Sequence, residues 1–177
     1  METRRYTLYD NTEWYFEKAL AAYLCGEQKR EDSLSAEDYR IISECAGNHI
    51  AFFLTWVVKH HYESDLFASV SGGAEALEAL RSESMTGAEF LLTHCDGKLD
   101  GEMLCEEILP FVDHFYQKFY FRRHYVHWVM TVLHDLPLEF RWSWEDYYSF
   151  AKVIDQRYKV FVNNQKAWRK LEQSQNT

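Results

Sequence analysis

The sequence is short of chain breakers: its 177 residues include two prolines and seven glycines. A fold of many short strands needs a turn residue at nearly every reversal, so this scarcity disfavours a sandwich or barrel. Long apolar runs are also missing, and none reaches the ~18 consecutive residues of a membrane span. No apolar stretch follows Met1-Glu2-Thr3-Arg4-Arg5-Tyr6, so a secretory signal is not expected there. The four cysteines, Cys25, Cys45, Cys95 and Cys105, form no Cys-x-x-Cys pair. Free thiols in a reducing cytoplasm are the expectation, and spacing alone cannot support a Cys95–Cys105 bridge. There is no Gly-x-Ser-x-Gly elbow, no glycine loop ending in Lys-Ser or Lys-Thr, and no His-Glu-x-x-His. These gaps remove the main sequence grounds for a catalytic reading, and no cofactor is expected.

What is present points to helices. Apolar residues make up 47% of the chain, enough to exclude wholesale disorder. Asp10-Asn11-Thr12-Glu13, Ser35-Ala36-Glu37-Asp38, Thr86-Gly87-Ala88-Glu89 and Ser143-Trp144-Glu145-Asp146 read as helix starts, and Ser64 reads as a further cap. Behind Asp10, the residues Trp14, Ala21 and Leu24 recur near helical spacing. His49 to Val58 is apolar nearly all round, which predicts a helix buried on several sides, with Gly47 dividing it from the helix before. Ser71-Gly72-Gly73 predicts a break, and Asp96-Gly97 a turn. Asp100 is read as the cap of a long helix running past Phe121, kinked near Leu109 by Pro110. The expectation is one all-α domain of about six to eight helices over residues 1–171, with a frayed polar tail at 172–177. Its core comes from His49–Val58, Phe111–Leu133 and the last helix.

Charge is unevenly spread. The net charge is −9, divided as −3 over residues 1–60, −10 over 61–113 and +4 over 114–177. An acidic middle repels nucleic acid and anionic membranes and attracts a basic partner; the blander reading is solubility. Fourteen aromatics lie between Phe111 and Phe150, interleaved with Arg122, Arg123 and Arg141. They are read either as a Tyr- and Trp-rich core or as anchors of a protein-binding surface. Stacking on single-stranded nucleic acid competes with these readings, but overall acidity opposes it.

Two constellations could hold metal. Asp96-Gly97-Lys98-Leu99-Asp100-Gly101, with Glu107 at position 12, resembles a calcium loop. However, Lys98 puts an ammonium at a ligand position, and a tight turn followed by an Asp100-capped helix accounts for the same string. His124 and His127 share a helix face, but the Glu-x-x-His pairs of a di-metal bundle are absent. His49 lies in the apolar run, where a hydrogen-bonded core histidine is the plain explanation.

Five strings occur in order: Tyr9-Asp10-x-x-x-Trp14, Asn48-His49-Ile50-Ala51-Phe52-Phe53-Leu54-Thr55-Trp56, Thr86 to Leu92, Cys95-Asp96-Gly97-Lys98-Leu99, and Val153-Ile154-Asp155-x-Arg157-Tyr158. Together they resemble a bacterial domain family of unknown function, over roughly residues 9–160. Its members usually read Thr-His-Ile-Gly-Met-Phe-x-x-Trp where this chain has Asn48 to Trp56. The chain departs from the pattern at Tyr15, where a histidine is usual, and at Ala51. It also lacks a Phe-Pro pair before the His-Ile helix and differs over Phe111–Trp128. The resemblance supplies no catalytic residues, and it implies an immunity-type or partner-binding role.

The leading expectation is therefore a non-enzymatic cytoplasmic protein that occludes a basic protein partner, such as a cognate toxin. Glu63, Asp65, Glu75, Glu78 and Glu83 supply the charge, and Tyr116, Tyr120 and Trp142 the anchors. The alternatives are a metal-binding or enzymatic domain, using His49, His124, His127 or the Asp96–Glu107 loop, and a self-associating scaffold.

Overall fold

Leu8–Asn11 forms a short strand, β1, where a helix cap was expected. It pairs antiparallel with β2 (Lys98–Asp100), Leu8 opposite Asp100 and Asn11 opposite Lys98, with a bulge between Leu8 and Asp10. The computed structural model describes residues 7–70, 72–116 and 120–175, with side chains as far as residue 167. The hexapeptide 1–6, Ser71, Phe119 and the last two residues of the expected frayed tail lie outside the described residues.

Eight α-helices complete the described structure: α1 (Glu13–Gly26), α2 (Ala36–Lys59), α3 (Asp65–Ser69), α4 (Gly73–Arg81), α5 (Gly87–His94), α6 (Leu109–Phe115), α7 (Tyr120–Trp128) and α8 (Trp144–Gln175). The all-α expectation holds, with the two-stranded ribbon as its one addition. Four helix starts follow the sequence signals. Ser35 and Asp38 close a reciprocal capping box, while Ser64, Thr86 and Ser143 accept from the backbone N–H three residues on.

The fifth signal fails. Thr12 precedes α1 without a side-chain cap, and Asp10 lies in β1 with its carboxylate buried. The face of α1 differs too: Tyr15, Ala19 and Leu20 are buried, while Trp14 and Ala21 are exposed.

Two further expectations need correcting. Gly47 does not divide a helix, because α2 runs through it unbroken. A Cβ there would stand 2.8 Å from Leu91 Cδ2 and 2.9 Å from Thr12 Oγ1, so the glycine lets α1 and α5 close on α2. Asp100 caps a single 3-10 turn (Gly101–Met103) rather than a long helix. The long helix is instead two pieces, and Pro110 sits in the first turn of α6, where its missing N–H leaves no helical bond unmade. After α7 a π-helical turn, Val129–Leu133, ends at His134 in the left-handed conformation.

Helix α2 is the core. Every residue from Cys45 to Val58 is buried. Its length and hydropathy would let it cross a bilayer, but here its apolar stretch is largely covered by the rest of the chain. The Phe52 ring has six rings, from Tyr125, Trp128, Phe140, Trp142, Tyr147 and Phe150, with centroids 5.7 to 6.3 Å away. The excess of aromatics between residues 111 and 150 is thus largely the sheath of α2.

Gly87, at the start of α5, packs closely on α2. A Cβ there would lie 2.2 Å from Thr55 Oγ1, whose hydroxyl donates to Ala51 O, and 3.0 Å from the Trp142 ring. Gly87→Ala should therefore cost about 1–3 kcal/mol through overpacking. Urea denaturation checks this, and an unchanged midpoint would contradict it.

Candidate functional site

The most built polar site lies where β1, α1, α2 and the segment after α6 meet. Asp10 is fixed by the β1–β2 pairing, and its carboxylate is buried against α2. Its Oδ2 lies 3.1 Å from His49 Nε2 and accepts the Tyr116 hydroxyl at 2.8 Å. Its Oδ1 accepts the backbone N–H of Asn11 at 2.9 Å. The Tyr15 ring meets the His49 ring edge-on with centroids 4.5 Å apart. The guanidinium of Arg122 stands 4.7 Å over the Tyr15 ring.

The electrostatics follow from these partners. Burial alone would raise the Asp10 carboxyl, but its bonds to His49 and Tyr116 more than offset it, so the group sits below its ordinary value. An ionised Asp10 only accepts, so His49 Nε2 carries the hydrogen and Nδ1 is the ring's remaining position. Tyr15 is pushed up to about 12, by burial first and then by the Asp10 charge. Tyr116 rises well above the usual phenol value for the same two reasons.

Two hollows flank the cluster. One of about 420 Å³ is lined by Asp10, Tyr116, Trp14 and Lys18; the other, of about 290 Å³, by His49, Tyr125 and Leu138. Tyr15 and Arg122 line both. A carboxylate that orients an imidazole beside a cavity is an arrangement suited to proton transfer or to holding a polar ligand.

A second polar bolt joins α2 to α8. Trp56 Nε1 donates to Asp155 Oδ1 at 2.8 Å, His60 Nε2 stands 3.3 Å from the same oxygen, and the Tyr62 hydroxyl donates to that of Tyr158 at 3.0 Å.

The residues singled out in the sequence fall in several places. Asp96 is exposed, has positive φ and pairs with Lys98. Asp100 is buried in β2, and its Oδ1 accepts from Glu102 N. Glu107 is exposed on a turn. A strand thus occupies the stretch that a calcium loop would curl, and Gly97 O is taken by the backbone N–H and hydroxyl of Thr12. Among the described residues no three His, Cys, Asp or Glu side chains gather as a metal set. His124 and His127 line a groove on α7. Burial lowers the His124 pKa, and Arg157, Arg123 and His127 lower it further.

Of the acidic set, Asp65, Glu75 and Glu78 are exposed and have no ion pair among the described residues. Glu63 is turned inward to Arg81, and Glu83 is held by Lys59 and Tyr148. Of the proposed anchors, Tyr120 is exposed. Tyr116 is only 6% exposed, because its hydroxyl is spent on Asp10. Trp142 is packed against Trp144 and Tyr147, its buried Nε1 without a partner among the described residues. Tyr116 therefore belongs to the interior, while Trp142 is half-buried against the core.

Sequence reasoning saw His49 as a hydrogen-bonded core histidine but missed its partner. The available signal was that Asp10 and His49 sit in two of the five strings quoted above.

The molecule is thus a small helical domain with a buried Asp–His–Tyr cluster at its edge. A family model described as Domain of unknown function (DUF7832) matches residues 8–140, and the chain belongs to that family. No curated protein and no solved structure matches it.

The Asp10 pair has a pH signature. Because the folded pKa lies below the ordinary aspartate value, the pair stabilises the fold above that value and the contribution is lost as pH falls through the folded pKa. Wild type should lose stability from about pH 5 downward, and Asp10→Asn should show a shallower acid limb. Asp10→Ala, which leaves the His49 and Tyr116 donors unpartnered, should cost about 3–5 kcal/mol at neutral pH. Urea titrations at several pH values check both, and parallel limbs for wild type and Asp10→Asn would refute the assignment.

Proposed function

We propose that this is a non-enzymatic protein-binding domain that covers a basic surface of another protein with the α3–α4 hairpin. The carrying observation is the grouping on two short adjacent helices of three exposed carboxylates, Asp65, Glu75 and Glu78, unpaired among the described residues, with exposed Leu66 and Val70. Carboxylates steer a cationic partner and set its register, while the aliphatic pair supplies area to bury. The hairpin is held in shape before any partner arrives. Ser64 caps α3 and its N–H donates to Met103 O, Phe67 is buried, and Gly73 packs so closely that a Cβ would meet Phe67 O at 2.4 Å. Preformed surfaces lose less entropy on docking. Since the resemblance implies an immunity-type role, the partner we favour is a basic toxin whose working surface is occluded.

A second reading has its own support. The Asp10–His49 pair beside two hollows suits a domain that binds or transforms a small polar ligand, His49 acting as the base or donor. Native mass spectrometry of protein purified from its own host would reveal such a ligand, and its loss from His49→Phe would assign it to this site.

For the leading reading, wild type and the triple reversal Asp65→Lys/Glu75→Lys/Glu78→Lys are used as bait in the native lysate. Wild type should retain a stoichiometric basic protein. The triple variant should lose it, with affinity down at least about a hundredfold, roughly 2.7 kcal/mol. Equal retention by both would overturn the assignment of the surface.

A further inference from the structure

The α7–α8 side carries the opposite chemistry. Two hollows, of about 760 and 430 Å³, share Tyr120 and His124 and form one open groove along α7 toward α8. Among the described residues no aspartate or glutamate lines either hollow, although the chain as a whole carries −9. Arg122, Arg123 and Arg157 line it, and none has an ion pair with a described residue. Exposed Met130 and Val160 contribute apolar surface to its lining.

A groove this open cannot enclose a small ligand, most of whose surface a true pocket buries. Single-stranded nucleic acid needs several exposed ring faces, whereas among the described lining residues Phe111 and Phe115 are buried, Phe161 is half-buried and Tyr120 is exposed. The chain's net negative charge also repels polyphosphate. Carboxylates interspersed with aliphatic side chains fit better, and the chain presents that combination itself on the α3–α4 hairpin. Arg123 and Arg157 on one face answer the carboxylates Asp65, Glu75 and Glu78 on another, and both faces carry exposed aliphatics.

We infer that the α7–α8 groove is a docking surface for the acidic α3–α4 hairpin of a second copy of this chain. The hairpin half of this contact rests on the surface assigned under Proposed function. Hairpin and groove are different surfaces, so the contact is head-to-tail and propagates into open chains or rings rather than closing as a two-fold dimer. A second copy seated on the hairpin competes with the basic partner, so self-association holds the binding face covered until that partner displaces it. Local attraction outweighs the repulsion between two net-negative molecules once salt screens distances beyond about 10 Å.

The test uses two full-length variants, Arg123→Glu/Arg157→Glu and Asp65→Lys/Glu75→Lys/Glu78→Lys, each checked for wild-type helicity by circular dichroism. In sedimentation velocity at about 0.1 M salt, wild type should gain mass with concentration and lose it at about 1 M, where screening reaches ~3 Å. Each variant alone should stay monomeric, with self-association weakened at least about tenfold. Mixed, the two place opposite charges at both contacts, the native hairpin on the native groove and the lysine hairpin on the glutamate groove, so they should pair and again gain mass with concentration. A wild type that is monomeric to about 0.5 mM, or folded variants that fail to pair when mixed, would overturn the inference. Retention of a single-stranded oligodeoxythymidine by wild type but not by the arginine variant, without self-association, would overturn it in favour of nucleic acid. If wild type is monomeric but the triple lysine variant still loses a basic partner, this inference falls and the proposed function stands.

Discussion

Complete burial of the Cys45–Val58 stretch of α2 is the constraint on which the rest depends. A helix apolar on every side must be covered on every side, and this one carries polar atoms that cannot be left bare. Asn48 donates to Phe140 O at 2.7 Å, His49 bonds Asp10, Thr55 donates to Ala51 O, and Trp56 donates to Asp155. Three of those four partners come from distant parts of the chain. Each bond therefore answers a desolvation demand on α2 and at the same time fixes where another element lies. The aromatic rings fill the space between these fixed points.

The helical class, the buried segment and four helix starts were legible because each rests on local chemistry. A Ser or Thr three residues before its backbone partner, or an apolar run without turn residues, means the same wherever it sits. The failures occurred where a distant partner overrode a local signal. Asp10 has the composition of a cap, but pairing with residues 98–100 extends its backbone and burial claims its carboxylate. Asp100, the other reader of a cap, is drawn into the same ribbon. Gly47 looks like a breaker until Leu91 and Thr12 arrive against it.

The site was legible to a lesser degree, for a related reason. Histidine in an apolar run announces a buried partner without naming it. The five ordered strings contained more information than their separate readings suggested, since they touch one another in the fold: Asp10 meets His49, Thr12 meets Gly97, and Trp56 meets Asp155. The departure at Tyr15 lies in the same cluster, its ring between His49 and Arg122. For the surface, net charge by segment located acidity but could not tell Glu63 and Glu83, which are engaged by internal cations, from Asp65, Glu75 and Glu78.

Helix α8 bears on where this domain ends as a physical object. The family match stops at residue 140, while Tyr147, Phe150, Ala151 and Ile154 are buried in the core and Asp155 holds the Trp56 indole. A fragment cut at residue 140 would bare one flank of the central helix and leave that indole N–H unanswered. The recurring sequence unit and the cooperative folding unit are therefore different lengths, and any excised piece meant to behave as the domain must carry the first half of α8.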